Sequence, residues 1–276
     1  GVNAAILTID LGTSGPKCAV VDATGAVLGA GRVPVTTVFG PDGAAEQDPE
    51  AVWQATVGAA RQALAAWGGR PADIVAVLPS SQYSSVVPVD AAGVATMPML
   101  LWMDQRGSPR RLRAVGGARP NPAQLADWFV RHGLAPLDGG VSLNRIRWIQ
   151  LARPDVYERT ATFLEPMDYL ALRLSGRPTA NPCTAVMFLL TDCRTPTPGR
   201  WDPRFVRYTG LDPAKLPELV PVGSDVGPVL PAVADTLGIT TGARVLSGLN
   251  DTQAGALAAG AATHDRAALS LGTTAV

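Results

Sequence analysis

Cysteine and histidine are scarce: three of the first (Cys18, Cys183, Cys193) and two of the second (His132, His264) in 276 residues. The thiols are an odd, scattered set with no Cys-x-x-Cys spacing, which argues against a zinc site or disulfide framework and for a reducing cytosol. Net charge is missing too. Lys plus Arg and Asp plus Glu each number 23, so no basic field exists for nucleic acid or an anionic membrane. No apolar run approaches the ~18 residues of a membrane span. Residues 1–10 lack a basic leader, and an aspartate interrupts their short apolar run, so they read as a first strand and not a signal peptide. Two nucleotide signatures are also absent, G-x-x-x-x-G-K-[ST] and G-x-G-x-x-G. The expectation is a soluble, cytoplasmic protein with a small-molecule partner and no nucleic-acid or membrane partner; a homodimer is left open.

The composition, 47% hydrophobic and 17% charged, is that of an ordinary globular chain with a sizeable core, one large domain or two of ordinary size. Residues 4–9 (AAILTI) form a continuous apolar run, as in a strand buried on both faces. Two β-rich runs flank Asp22-Ala-Thr-Gly25, a hairpin pattern. Asp48-Pro49-Glu50 opens a helix as N-cap, N1 proline and first-turn acid, and Gly68-Gly69 ends it. Residues 73–90 read as strand, polar turn, strand. NRIRWIQLARPDVY, EPMDYLALRLSG and AVADTLG read as helices, residues 244–248 as a strand, DTQAGALAAGAA as a small-residue helix, and ALSLGTTAV as a strand entering a turn. Strands and helices alternate in mixed order, so the class is α/β.

The chemistry concentrates in three places. In Asp10-Leu-Gly12-Thr13-Ser14-Gly15, Gly12 permits close backbone approach, successive amides can form an anion-binding concavity, and the hydroxyls and Lys17 add donors and a cation. Asp10, ending a strand, is placed to hold hydrated Mg²⁺ beside phosphates. The bland alternative is a plain strand-to-hairpin turn. A second such turn, Leu271-Gly272-Thr273-Thr274, pairs with the first and points to two similar domains. The third place is Asp251, after a strand and at a helix start, either an N-cap or a general base for phosphoryl transfer. In the latter role a carboxylate near a helix N-terminus suffices, because a loose transition state needs orientation more than basicity.

Taken together, IDLGTSGPKCAVVDATGAVL (9–28), EQDPEAVW (46–53), LLWMDQR (100–106), EPMDYLALRLSGR (165–177), residues 223–260 and LSLGTT resemble the FGGY carbohydrate kinases, nearest to the xylulokinase-like branch. The resemblance implies a ribonuclease H-like fold of the actin/hexokinase superfamily, a mixed sheet flanked by helices. Residues 1–260 would form the N-terminal domain and 261–276 the beginning of the C-terminal domain. It further implies ATP- and Mg²⁺-dependent phosphorylation of a sugar or polyol hydroxyl, such as that of a pentulose, with Asp251 as base. Asp10, Gly12, Thr13, Ser14, Lys17, Gly272, Thr273 and Thr274 would handle phosphates, with Asp10 holding Mg²⁺ through water. Gln82, Tyr83 and Ser84, flanked by Asp104 and Arg106, fall where the family binds sugar. Gln82–Ser84 could equally be an ordinary polar turn and Asp104 and Arg106 a bracing ion pair, while Trp102, at the end of an apolar run, reads as core rather than as a stacking platform. Xylulokinases show Gln-Met-His-Gly where this chain has Gln82-Tyr83-Ser84-Ser85, and Ser-Asp-Ala near NPCTA (181–185), which weighs against D-xylulose itself. Pro16 removes one donor from the phosphate turn. The family continues for about another domain of ~200 residues, so this chain alone is expected not to turn over. The alternative is a non-catalytic sugar- or nucleotide-binding relative, or an inactive fragment of such a kinase.

Overall fold

The computed structural model describes residues 4–195, 199–261, 263 and 266. The central element is a six-stranded mixed sheet. Its strands are β1 (Ala5–Gly12), β2 (Gly15–Asp22), β3 (Val27–Arg32), β4 (Ile74–Ser81), β5 (Asp225–Pro228) and β6 (Arg244–Leu246), in the order β5-β6-β4-β1-β2-β3. The β1–β2–β3 meander is antiparallel, β1 and β6 each run parallel to β4, and β5 returns antiparallel to β6. The carboxyl ends of β1, β4 and β6 therefore point the same way. In open α/β sheets that edge is where ligands gather.

The meander follows from its turns. Gly12 pairs with Gly15, leaving Thr13-Ser14 as a two-residue turn. Asp22 Oδ1 accepts from the backbone N–H groups of Thr24 and Ala26, and Gly25 takes φ +84°, which closes the second hairpin as expected. Pro16 lies inside β2 opposite Leu11, so it is a strand residue and not a member of the phosphate turn.

Six helices matter to the site: α1 (Pro49–Trp67), α2 (Pro122–Arg131), α3 (Ser142–Ala152), α4 (Pro166–Ser175), α5 (Pro231–Leu237) and α6 (Asp251–Ala258). The expected helix 144–157 is two elements, α3 and Pro154–Arg159, because Pro154 cannot continue the α3 hydrogen-bond ladder. The cap of α1 is as read: Asp48 accepts from Glu50 N–H, and Gly68 takes a left-handed conformation. Helices α1, α4 and α5 share one core with Leu7, Ile9 and Leu11 of β1. The other face of β1 (Ile6, Thr8, Asp10, Gly12) is only half-buried. The strand is thus not buried on both faces, because its second face borders a cleft.

A second core gathers Trp128 of α2, Ile146 and Ile149 of α3, Phe163, Phe188 and Phe205. Trp128 stacks on Phe205 with centroids 5.3 Å apart, and its indole N–H donates to Leu189 O at 2.8 Å. Between the two cores runs the segment after β4, Gln82–Val86, which carries the candidate sugar turn. The continuation Val87–Val89 leaves the main sheet and pairs with Thr162–Leu164.

Candidate active site

Asp10 faces outward near the end of β1, between Lys17 of β2 and Ser80 of β4 in register. Lys17 Nζ lies 4.0 Å from Asp10 Oδ2, both side chains being largely accessible. Asp10 and Asp251 line one cleft of about 570 Å³, with Thr8 and Ser80 on the sheet side. Asp251, Ala254, Gly255 and Ala258 line it from α6, an i, i+3, i+4, i+7 stripe on one helical face. Small side chains there let a ligand backbone or phosphate approach α6 closely.

Asp251 is not the helix cap. Asn250 takes that role: its backbone is extended and its Oδ1 accepts from Gln253 N–H at 2.9 Å. Asp251 occupies the first helical position, accepts from Thr252 N–H, and is open to the cleft. Partial burial first, and then the negative charge of Asp10, raise its carboxyl above the ordinary carboxylate value against the pull of the Thr252 N–H.

The strand leading to Asp251 is held by amides. Gly248 packs so tightly that an added Cβ would sit 1.7 Å from Pro79 O. Asn181, fully buried, donates to Ser247 Oγ (2.7 Å) and Gly248 O (2.9 Å). Asn250 Nδ2 donates to Cys183 O at 3.0 Å. The 181–183 segment therefore holds the backbone that leads into Asp251; NPCTA stands out in the sequence only as a departure from the family's Ser-Asp-Ala, not as a support.

On the other side of the phosphate turn, Thr13 is a junction. Its hydroxyl donates to Gln82 Oε1 (2.6 Å) and accepts from Trp102 Nε1 (3.1 Å), while its carbonyl accepts from Gln47 Nε2 (2.7 Å). Gln82 N–H donates to Leu11 O at 2.8 Å. Trp102 is 40% exposed, so it is a surface of this site and not core. Gln47 went unremarked in the sequence because a lone amide carries no pattern. A Cβ at Gly12 would meet nothing nearer than Gly15 O at 3.9 Å; packing inside the fold does not require glycine there, and open space faces it. Ser14 is exposed, and its carbonyl accepts from Val35 N–H.

Asp104 and Arg106 satisfy one another. Asp104 is fully buried and accepts from Ala45 N–H and from the Arg106 guanidinium, with a closest contact of 2.6 Å. Arg106 also reaches Glu46 at 2.6 Å and stacks over Trp148 at 4.5 Å. These contacts fill the bracing role for this pair. Tyr83 is half-buried, and Ser84 is buried with φ +60°. His132 is buried. Gly272, Thr273, Thr274 and His264 lie outside the described residues.

Asp10 and Asp251 are two carboxylates on one cleft, and among the described residues no group of three or more His, Cys, Asp or Glu converges on a point. One or two carboxylates suit Mg²⁺ that keeps most of its water and is shared with substrate phosphates. Among the described residues, no helix is long and apolar enough to cross a membrane.

The profile of the FGGY family of carbohydrate kinases, N-terminal domain, matches residues 5–258. Among curated proteins, a xylulose kinase of Staphylococcus xylosus is 27% identical over 98% of this chain and 54% of its own length. That of Streptomyces rubiginosus is 30% identical over 92% of this chain and 50% of its own. Among solved structures, ligand-bound xylulose kinase from Lactobacillus acidophilus superposes with a TM-score of 0.86 at 18% identity, covering 99% of this chain and 53% of that one. The chain thus spans about half the length of these relatives. The sheet and its flanking helices have the fold of actin/hexokinase-type sugar kinases.

Proposed function

Since the chain belongs to the FGGY family of carbohydrate kinases, we propose that it is the half of an ATP-dependent kinase that holds the sugar or polyol, the first phosphate turn and the catalytic base. A ketose such as a pentulose is the substrate class. The observation that carries this reading is Asp251: released from capping by Asn250, it stands open to the cleft with Asp10 across from it.

In the reaction, a substrate hydroxyl oxygen bonds to the γ-phosphorus of ATP, the bond from that phosphorus to the β,γ-bridging oxygen breaks, and ADP leaves. Asp251 takes the hydroxyl proton. Its raised carboxyl pKa strengthens it as a proton acceptor. Loose phosphoryl transfer places most of the burden on alignment, which the Asn181–Gly248 and Asn250 contacts supply for the base. The Gly12–Ser14 turn presents backbone donors to phosphate, with Lys17 as the nearby cation. Thr13 ties that turn to Gln82, so the phosphate and sugar sides share one hydrogen-bonded post. Gln82, Tyr83, Ser84 and the indole of Trp102 form the sugar side. Asp104 and Arg106 brace it from below. Mg²⁺, when bound, would be held by Asp10 through water and would neutralise phosphate charge. Gly272, Thr273 and Thr274 would supply the second phosphate turn.

The test is a coupled ADP-release screen over ketoses and polyols. It is run on this chain and on the protein extended to the length of its relatives, each with and without Asp251→Ala. The expected result is turnover by the extended protein alone, reduced at least 10³-fold by the substitution, the upper part of the range for losing a general base. Turnover that survives Asp251→Ala would remove Asp251 from this role.

A further inference from the structure

Two fully buried ionisable side chains, Arg145 and Glu165, hold the backbone of Ser84 and Ser85. Arg145 of α3 donates from Nη1 to Ser84 O at 2.8 Å and from Nη2 to Trp102 O. Glu165, just before α4, accepts from Ser85 N–H at 3.0 Å through Oε2 and contacts Ser142 Oγ through Oε1. The two do not form an ion pair within 4.0 Å, and Arg145 Nε has no partner in the structure.

Such an arrangement is a poor way to gain stability. Burying the Arg145 guanidinium costs free energy even with carboxyl groups nearby, and an apolar side chain of similar volume is often neutral or better. The turn it touches is itself in an unfavourable conformation. Ser84 is a non-glycine residue at φ +60°, a conformation that persists where the surroundings over-determine it. Its hydroxyl is also engaged, donating to Gly140 O. Two groups thus meet on the backbone of Ser84-Ser85 and a third holds the Ser84 hydroxyl, and the same guanidinium reaches the carbonyl of Trp102, whose indole meets Thr13.

We infer that Arg145 and Glu165 are positioning residues for the sugar side of the cleft: together they hold the Gln82–Ser85 turn and the backbone of Trp102 in one fixed relation to the phosphate turn. The inference rests on the assignment of that turn to sugar binding. Arg145 supplies the span, since a planar guanidinium can reach two carbonyls on different segments where a lysine ammonium offers a single point. Glu165 supplies the acceptor for a buried amide that has no other partner. Burial lifts the Glu165 carboxyl to about 8 against the Ser142 and Ser85 contacts and the Arg145 charge. Glutamine keeps a side-chain oxygen that can accept from Ser85 N–H without the carboxyl's titration.

The experiment uses the 276-residue chain with Arg145→Lys, Glu165→Gln and Glu165→Leu. Hydrogen exchange is read at residues 82–85, 102 and, as control, β1; D-xylulose and ATP affinities are measured by calorimetry. Glu165→Leu and Arg145→Lys are expected to speed exchange at residues 82–85 at least tenfold while β1 is unchanged. Where D-xylulose binds, they should weaken it about tenfold and leave ATP within twofold. Glu165→Gln is expected to retain both protection and affinity. If Glu165→Leu does not fold, Arg145→Lys decides the matter. Unchanged exchange at 82–85 in Arg145→Lys, or equal acceleration in β1, overturns the inference. Failure of the unmodified chain to bind D-xylulose or any other ketose or polyol of the screen counts against the sugar assignment and leaves the exchange result to decide the clamp.

Discussion

Thr13 shows how a residue's role changes once its partners are visible. As a motif letter it is a phosphate hydroxyl; in the fold its hydroxyl joins Gln82 to Trp102. Titration belongs at this scale too. Glu165 is raised from 4.5 to about 8, and Asp168, Asp251 and His132 are raised as well. A raised pKa means the native state binds more protons than the unfolded one, so stability falls as pH rises through the interval between the two values. Stability is therefore expected to decline from about pH 4.5 to about 8. Glu165→Gln should flatten that decline, measured as urea midpoints across the range. The charges that interact with Glu165 are those of Arg145 and Asp168, and Arg145 also feels Asp104 and Asp138. An unchanged slope in Glu165→Gln would mean that the carboxyl titrates normally.

At the scale of elements, α6 separates two roles that the sequence leaves merged in one aspartate. Asn250 caps the helix, and none of the α6 side chains is buried. A helix with so little packing depends on its ends. Asn250→Ala is expected to cost about 1 kcal/mol in chemical denaturation, whereas Asp251→Ala should leave stability within about 0.5 kcal/mol, the usual range for an exposed site. A reversed order would make Asp251 the cap. What was legible here followed from local physics. Asp48-Pro49-Glu50, Asp22-Ala-Thr-Gly25 and Gly176 each mark an element end through backbone chemistry confined to a few residues. The supports of the site were not legible, because Asn181, Arg145, Glu165 and Gln47 act across long sequence separations. An isolated amide or charge carries no periodicity to betray its partner. Trp102 was misread for a related reason: it follows an apolar run, yet its indole turns to Thr13 and stays exposed.

For the whole molecule, two cores flank the 82–86 segment, one under the sheet and one around Trp128 and Phe205. The order of motifs along the chain made the family legible, and the parallel ends of β1, β4 and β6 explain why those motifs converge. Asp10 lies near the end of β1, Gln82 follows β4, and Asp251 follows β6. The central claim is that this convergence makes Asp251 the proton acceptor in phosphoryl transfer to a sugar or polyol hydroxyl. The most direct test is the rate of ADP release with saturating ATP and a productive ketose or polyol. It is compared between the protein extended to its relatives' length and its Asp251→Ala variant, with both shown to bind sugar equally. The account predicts a loss of at least 10³-fold in kcat with sugar affinity unchanged; a variant turning over within tenfold of the unmodified protein would contradict it.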